Sequence, residues 1–326
     1  MQSQTLTLVP NMGTAPTTPL DILSLFLRGR TPCTLAAYRT DMEDFTQFLN
    51  THTHASSTNE AARAFLSSSP GNANRLVLEY RQALVSPPRS LSPASINRKL
   101  STLRSLTSLA RMLGMITWRL EIPNVPSSSY RDTRGPTPQT FSLILRQSER
   151  RTDPKGIRDQ AITLLLHDVA LRRGEVVSLD MQDVDVYNHT IAVTGKGRSR
   201  KEKTVMSLPS RTFAALASWI QVRGSDPGPL FTNMSRNPSV AHSRLTSTAV
   251  YQIIQKHGLS LSTPTHITPH GLRHTAITTA VERAQSSNVD LDKVRQFSRH
   301  AKLATLQIYA DQHENWQGQV AEMVAK

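Results

Sequence analysis

Thr268-Pro269-His270-Gly271-Leu272-Arg273-His274 is the stretch that begins a helix late in this chain of 326 residues. Pro269 is typical of a first helical turn, and the pattern after it predicts a helical run through Thr279. His270 and Arg273 are three positions apart, so they lie on one helix face, one turn from each other. Because a helix N-terminus carries partial positive charge, this face favours a bound phosphate.

His274 lies one residue further on and points elsewhere, so we expect it to be a buried histidine with one hydrogen bond. His270 and His274 are four apart, as zinc-binding histidines on one helix can be. However, no acidic residue lies between them in the manner of a metalloprotease. The chain has a single cysteine, Cys33, so it contains no Cys-rich site. The sequence therefore predicts no metal and no other cofactor.

A second arginine lies far upstream, where Arg172 follows Ala170-Leu171 and precedes Gly174-Glu175. A glutamate beside an arginine at a helix end can orient the guanidinium towards a phosphate. An ordinary surface Arg–Glu pair is the alternative, and this motif alone does not exclude it.

Lys196 stands between two glycines, Gly195 and Gly197, which allow a tight turn. The β-rich runs 189–194 and 203–208 flank it, so the sequence predicts a hairpin with a basic tip. An ammonium at that tip can protonate a departing alkoxide, since a lysine pKa is near 10.4. A solvated lysine in a glycine turn is the alternative. A phosphate-binding P-loop fits poorly, because the upstream glycine spacing and the following Ser or Thr are missing.

His300 and Tyr309 flank a short helical stretch, 303–308. A tyrosine nucleophile needs help, because its ordinary pKa is about 10, and cationic groups around a phosphate would stabilise the charge that builds up. A packing residue near the chain end is the alternative. The groups needed to hold a phosphodiester, attack it and protonate its leaving group are then Arg172, Lys196, His270, Arg273, His300 and Tyr309.

The composition points to a polyanionic partner. The chain carries 38 Lys and Arg against 24 Asp and Glu, a net charge of +14, and its pI is about 10.5. Nucleic acid is the expected partner, with a cationic surface kept for solubility as the alternative. No apolar run approaches the roughly 20 residues of a membrane span, and residues 1–18 do not look like a secretory signal. We expect a cytoplasmic protein associated with the nucleoid.

The helix-start signals Thr31-Pro32, Ser92-Pro93 and Thr137-Pro138 organise the chain into domains. We expect a flexible tail over 1–18, a helical domain over 19–118, a linker over 119–136 and a second domain over 137–326. The fold class is mainly α with a small β-sheet. The basic residues expected to contact DNA lie in the first domain, the linker and the hairpin tip: Arg98, Lys99, Arg104, Arg131, Arg134, Arg198 and Arg200.

The ordered motifs resemble the tyrosine recombinase family, which includes phage integrases and Xer-like site-specific recombinases. They are Leu171-Arg172-x-x-Glu175, Gly195-Lys196-Gly197, His270-x-Leu272-Arg273-His274, and His300 with eight residues before Tyr309. The first domain is similar to the family's helical core-binding domain through Thr34-x-x-x-Tyr38-x-x-Asp41-x-x-x-Phe45 and Ile96-Asn97-Arg98-Lys99-Leu100. The resemblance implies a core-binding domain followed by an α+β catalytic domain.

The resemblance also implies a reaction. Arg172, His270, Arg273 and His300 would grip the scissile phosphate of a DNA duplex. Tyr309 would join the 3′ end, and Lys196 would protonate the 5′ hydroxyl. The family acts without ATP or metal, as homo-tetramers on two duplex recombination sites and through a Holliday junction, in integration, excision or resolution, often for mobile genetic elements. A C-terminal helix, here the apolar pattern over 316–324, docks on a neighbouring protomer.

Two other functions stay open as alternatives. The first is a DNA-binding regulator or architectural protein without cleavage, and the intact six-residue set argues against it. The second is a type IB topoisomerase-like enzyme, and the helical first domain argues against it. The chain also departs from the family at Ser298-Arg299, where Leu-Gly is usual, and at Gly174, where a small polar residue is commoner. We expect Arg299 to change packing or charge near His300.

Overall fold

The structure is a computed structural model that describes residues 19–51, 57–126, 135–195, 203–235, 241–287, 289–300 and 325. The chain divides into two compact units, Met1–Ser129 and Tyr130–Lys326. The division falls inside the segment 119–136 that the sequence predicts as a linker. None of the helices in the described part of the chain is long and apolar enough to cross a membrane.

The first unit is helical. Its helices are α1 (Pro19–Leu27), α2 (Pro32–Asn50), α3 (Thr58–Leu66), α4 (Pro70–Val85) and α5 (Pro93–Met112). Thr31 and Ser92 cap α2 and α5 by accepting a hydrogen bond from the backbone N–H three residues on, and a proline opens each helix. The helix starts predicted at these two positions are confirmed.

Aromatic side chains form the centre of the first unit. The ring of Phe45 meets the rings of Phe65 and Tyr80 edge-on, at centroid distances of 5.2 and 5.0 Å. Trp118, which follows α5, packs edge-on against Phe65 at 5.9 Å. The core of this unit therefore joins α2, α3 and α4 to the segment that follows α5.

That departing chain packs on the first unit further than the sequence suggested. Leu120 and Ile122 are buried in the core of the unit. The side-chain amide of Asn97 donates to the carbonyl of Val125 at 2.9 Å and accepts from its N–H at 2.8 Å. Residues 119–125, predicted as linker, are thus held by the first unit.

The second unit combines helices with one small sheet. Its helices are α6 (Pro138–Glu149), α7 (Pro154–Asp168), α8 (Arg173–Ser178), α9 (Ser210–Arg223), α10 (Ser247–Leu259), α11 (Pro269–Ser286) and α12 (Leu291–Ser298). The sheet contains β1 (Val184–Asp185), β2 (Thr190–Thr194) and β3 (Lys203–Ser207). The predicted fold class, mainly α with a small β-sheet, is confirmed.

The three strands pair antiparallel in the order β1-β2-β3. Ile191 on β2 lies opposite Met206 on β3, and Ile191 and Val193 point into the core. The alternation of buried and half-buried residues along β2 is that of a strand with one face on the core. The predicted hairpin pairing is confirmed, whereas β1 was not foreseen.

Helix α7 is the centre of the second unit. It is buried on almost every side and packs against α6, α9 and α11. Its end leads through Ala170, which has a φ of 49°, into the start of α8. Helix α12 ends at Arg299, which has a φ of 54°. These two left-handed turns and the start of α11 carry the side chains of the site.

Candidate active site

Arg172 precedes α8 and is held by a buried carboxylate. Glu175 Oε1 accepts a hydrogen bond from Arg172 Nη1 at 2.8 Å, and Oε2 accepts one from the backbone N–H of Arg172 at 2.8 Å. Glu175 is only 4% exposed, whereas the Arg172 side chain is 32% exposed. A buried carboxylate that holds a partly exposed guanidinium differs from an ordinary surface ion pair. The geometry therefore fits the orienting role predicted for Glu175.

Arg273 projects from the second turn of α11 and is buried. Its Nη1 donates to the carbonyl of Ala170, and its Nη2 donates to the carbonyl of Ser298. Arg172 Nη2 donates to the next carbonyl, that of Arg299, at 3.2 Å. Backbone carbonyls at the ends of α7 and α12 thus hold both guanidinium groups in place.

The two histidines of the α11 motif take different positions. His270 is exposed beside the N-terminus of the helix, where Thr268 accepts a hydrogen bond from the N–H of Gly271 at 3.0 Å. His274 is buried, and its Nδ1 lies 3.4 Å from Thr278 Oγ1. The predicted burial of His274 is confirmed. In the described part of the chain, no group of three His, Cys, Asp or Glu side chains is arranged to hold a metal ion.

His300 follows the left-handed end of α12 and lies among cationic groups. Burial lowers the pKa of His300 to about 4, and the positive charges of Arg273 and Arg172 act in the same direction. The imidazole of the protein alone is therefore neutral at pH 7. It adds hydrogen-bonding capacity to the site, while the two arginines supply the charge.

These four side chains meet at one cavity of about 650 Å³. Its walls are formed by Arg172, Arg173, Gly174, Tyr251, His266, Thr268, Pro269, His270, Arg273 and His300. The structure thus brings together Arg172, His270, Arg273 and His300 from segments that are far apart in sequence. Lys196 and Tyr309 lie outside the described residues, so their predicted roles stay predictions.

The cavity also contains polar residues that the motifs did not identify. Gln255 Nε2 on α10 lies 3.1 Å from the hydroxyl of Tyr251 and 2.8 Å from Nε2 of His266. Tyr251 and His266 both line the cavity. The only sequence signal for His266 is its position four residues before His270, which is too weak to separate it from the chain's other histidines.

Of the two departures from the family pattern, the glycine at position 174 has no steric consequence. A Cβ added at Gly174 would meet nothing within 4 Å, so the site does not require glycine there. Arg299, in contrast, turns into the protein: its Nη2 donates to Glu175 Oε2 at 2.8 Å. Arg299 therefore does change the charge around His300, since its guanidinium also lowers the pKa of that imidazole.

Comparison with known proteins gives the site its family. The model of the phage integrase family matches residues 137–315. This chain belongs to that family. It is 34% identical over 329 residues to a tyrosine recombinase of Synechococcus elongatus, with 99% of each chain covered. It is 33% identical over 224 residues to the tyrosine recombinase XerC of Alcanivorax borkumensis, covering 67% of this chain and 69% of that one.

A solved structure shares the fold of this phage integrase family member. It is the XerH site-specific recombinase bound to a palindromic difH substrate in a post-cleavage complex, with a TM-score of 0.63 and 16% identity. The match covers 95% of this chain and 85% of that one. At this identity the likeness supports the fold alone. The tyrosine recombinase resemblance drawn from the motifs is confirmed by the family match.

The residues predicted to contact DNA differ in exposure and in the groups they pair with. Lys99 is only 7% exposed, and its Nζ lies 3.5 Å from Asp41 Oδ1 and 3.0 Å from Asp44 Oδ2. An ammonium used inside the unit is a poor partner for a phosphate, so the prediction for Lys99 needs correction. The Arg98 side chain is 46% exposed and pairs with Asp41 at 2.6 Å.

Arg104 fits the predicted role better than Lys99 does. It lines a groove of about 340 Å³ on the first unit together with Arg111 and Arg119. Among the described residues, no carboxylate lies within the 4.0 Å ion-pair distance of these three guanidiniums. The remaining predicted contacts, Arg131, Arg134, Arg198 and Arg200, lie outside the described residues.

Proposed function

We propose that this protein is a site-specific DNA recombinase that cuts and rejoins duplex DNA through a 3′-phosphotyrosine link. The observation that carries the proposal is the convergence of Arg172, His270, Arg273 and His300 on one cavity of about 650 Å³. The two guanidiniums and two imidazoles of this set match the charge and hydrogen-bonding needs of a single phosphodiester.

The anchoring of the arginines supports transition-state stabilisation. Arg172 is held by Glu175 and Arg273 by the carbonyls of Ala170 and Ser298, so neither has to reorganise during the reaction. Preorganised donors aimed at developing negative charge are usually the largest catalytic contribution, about 10²–10³-fold for each donor. Neutral His300 adds a hydrogen bond to a non-bridging oxygen.

Tyr309 takes the phosphorus end of the bond that breaks, and Lys196 gives a proton to the oxygen end. The phenolic oxygen of Tyr309 loses its proton to solvent, attacks phosphorus and takes the 3′ phosphate, and the bond from phosphorus to the 5′ oxygen breaks. The ammonium of Lys196, which lies in sequence between β2 and β3, protonates that oxygen. A 5′ hydroxyl from another duplex reverses both events. Because the covalent link conserves the bond energy, the cycle needs neither ATP nor a metal ion.

Assembly on DNA completes the proposal. The duplex recombination sites are bound by a homo-tetramer, exchange passes through a Holliday junction, and the C-terminal segment 313–326 docks on a neighbouring protomer. Among the described residues, no carboxylate pairs with Arg104, Arg111 or Arg119, which leaves their charge available for phosphates. The groove that they line is therefore the proposed contact of the first unit with the DNA backbone.

Covalent capture tests the chemistry without knowledge of the target site. The purified protein is incubated with a pool of nicked duplexes that have randomised arms, and DNA that stays bound in SDS is recovered and sequenced. Digestion and mass spectrometry of the adduct should identify the Tyr309 peptide with a 3′-linked nucleotide. Tyr309→Phe should abolish the adduct, while Tyr251→Phe, which changes a tyrosine that lines the cavity, should still form it.

Three results would overturn the proposal. An adduct that persists in Tyr309→Phe would assign the nucleophile to another residue. Absence of any adduct, with duplex binding intact, would make the protein a DNA-binding regulator or architectural protein. Relaxation of supercoiled plasmid without joining of two duplexes, on the captured site, would indicate a type IB topoisomerase-like activity.

A further inference from the structure

Arg299 occupies a backbone conformation that arginine seldom adopts. It ends α12 with φ 54° and ψ 39°, in the left-handed region. For an L-residue with a side chain this region is unfavourable by about 1–2 kcal/mol, whereas glycine enters it freely. The family motif usually has glycine here, so this chain places a side chain where the backbone disfavours one. Contacts made by the guanidinium must offset that strain.

The guanidinium makes those contacts inside the protein. The side chain is 11% exposed, and its Nη2 donates to Glu175 Oε2 at 2.8 Å and to the carbonyl of Ala170 at 2.9 Å. Its Nη1 donates to Met206 Sδ on β3 at 2.8 Å. Arg299 thus connects the end of α12 to α8, to the end of α7 and to β3, the strand that follows Lys196 in the sequence.

Both acceptors of Arg299 Nη2 also hold Arg172 or Arg273, two of the arginines that line the cavity. Glu175 accepts Arg172 through its other oxygen, and the carbonyl of Ala170 accepts Arg273. The backbone of the same turn supplies the remaining anchors, since the carbonyl of Ser298 accepts Arg273 and that of Arg299 accepts Arg172. Arg172 and Arg273 are each therefore held by at least two hydrogen bonds, and Arg299 or the backbone of its turn takes part in holding both of them.

We propose that Arg299 is a positioning residue that locks Arg172 and Arg273 in the orientation needed to grip the scissile phosphate. The inference rests on the proposed function for its catalytic consequence. Arg299 does not line the cavity, so it acts through the two arginines and not on the phosphate. With glycine at this position, Glu175 Oε2 would keep its hydrogen bond from the backbone N–H of Arg172 and lose the one from Arg299. The carbonyl oxygen of Ala170 would keep Arg273 as a donor and lose Arg299.

The first arm of the test does not depend on activity. In protein labelled with [15N]arginine, the side-chain Nε–Hε signals of Arg172 and Arg273, assigned with lysine variants, report how firmly each guanidinium is held. We expect Arg299→Gly, which relieves the backbone strain, to broaden both signals or speed their hydrogen exchange at least tenfold. Arg295→Lys is the matched control, because Arg295 lies on the same helix and, within the described part of the chain, forms its ion pair with Asp292 at 2.6 Å and not with Glu175.

The second arm measures single-turnover cleavage of the captured duplex. Misplacement of catalytic groups by about 1 Å can cost roughly 10²-fold in rate, so we expect Arg299→Gly to slow cleavage by about that factor, with the DNA Kd changed less than about threefold. Guanidinium ions at tens of millimolar should occupy the space left by the side chain. They should raise the cleavage rate of Arg299→Gly by at least about tenfold and leave the rates of the other variants unchanged. Arg299→Lys should retain an intermediate rate.

The two arms separate the possible failures. Unchanged Arg172 and Arg273 signals in Arg299→Gly would overturn the positioning role, whatever the activity. A normal cleavage rate in that variant would overturn its catalytic consequence. A parallel loss of Tm, DNA affinity and rate without guanidinium rescue would show a purely structural residue. If the wild-type protein formed no adduct, the proposed function would fail, and the signals would still decide whether Arg299 orders the two arginines.

Discussion

Replacing Lys99 by methionine tests whether this residue stabilises the first unit or contacts DNA. The ammonium lies between Asp41 and Asp44, whose side chains are 1% and 18% exposed, and the Lys99 side chain itself is 9% exposed. Burial works to raise the pKa of Asp44, but hydrogen bonds from Tyr80 and Lys99 outweigh it, so the pKa lies below its usual value. The carboxylate is thus charged and depends on its donors.

The expected cost follows from the remaining partners. Removing one member of a buried ion pair destabilises a protein by about 3–5 kcal/mol. Here Asp41 keeps Arg98 and Thr102, and Asp44 keeps Tyr80 and Arg89, so the lower end applies. We expect Lys99→Met to lower the free energy of unfolding of the first unit by about 3 kcal/mol, roughly a hundredfold in the equilibrium constant.

Hydrogen–deuterium exchange in increasing urea measures the free energy of unfolding of each unit separately. Peptides from α2 and α5 report on the first unit, and peptides from α7 report on the second. Arg98→Met is the matched control. It removes a donor from the same Asp41, but its side chain is 46% exposed, so we expect a loss of at most about 1 kcal/mol. The reasoning fails if Lys99→Met leaves the first unit as stable as before. If that folded variant bound DNA with a log–log salt slope flatter by about one, the original prediction of a phosphate contact by Lys99 would be supported.

Three further predictions concern the second unit and the chain end. Lys196→Ala should slow cleavage by about 10²–10⁴-fold, and a 5′-bridging sulfur, which leaves without protonation, should restore much of the rate; no rescue would make the lysine a phosphate contact. Asp168 accepts hydrogen bonds from His167, Arg211 and Thr212 that outweigh burial and keep its pKa well below the usual value. Its stabilising contribution should be complete above the unfolded-state pKa of about 3.9 and disappear as the pH falls towards the folded-state value. In urea titrations between pH 2 and 7, Asp168→Asn should flatten that acid loss, and an unchanged pH dependence would contradict the assignment. Truncation after Gln312 should leave binding to a single DNA site intact and abolish the synaptic complex in gel-shift assays; a truncated protein that is unfolded as a monomer would show that the segment packs on its own domain.

Local sequence signals were sufficient for most of the secondary structure. Thr31-Pro32, Ser92-Pro93 and Thr137-Pro138 begin helices where predicted, because a capping side chain and a proline act within one turn and need no distant partner. The pairing of β2 with β3 was likewise predicted from two β-rich runs on either side of Gly195-Lys196-Gly197. The order of the catalytic motifs pointed to the family, which the comparison confirms for residues 137–315.

Tertiary structure decided what each charged side chain faces. Periodicity along α5 placed Lys99 beside the apolar stripe, but only the packing of α2 brings Asp41 and Asp44 to its ammonium. The apolar Leu120 and Ile122 looked like linker residues because their partners lie on other helices.

Arg299 shows the same limit at the site itself. Its position before His300 was visible as a departure from the family pattern, but its partners Ala170 and Glu175 lie more than a hundred residues earlier in the chain. A hydrogen bond between such distant segments leaves no periodic or local trace in the sequence. Composition and motifs therefore indicate which groups the chain possesses, and the folding of α7, α8, α11 and α12 around one cavity determines which of them work together.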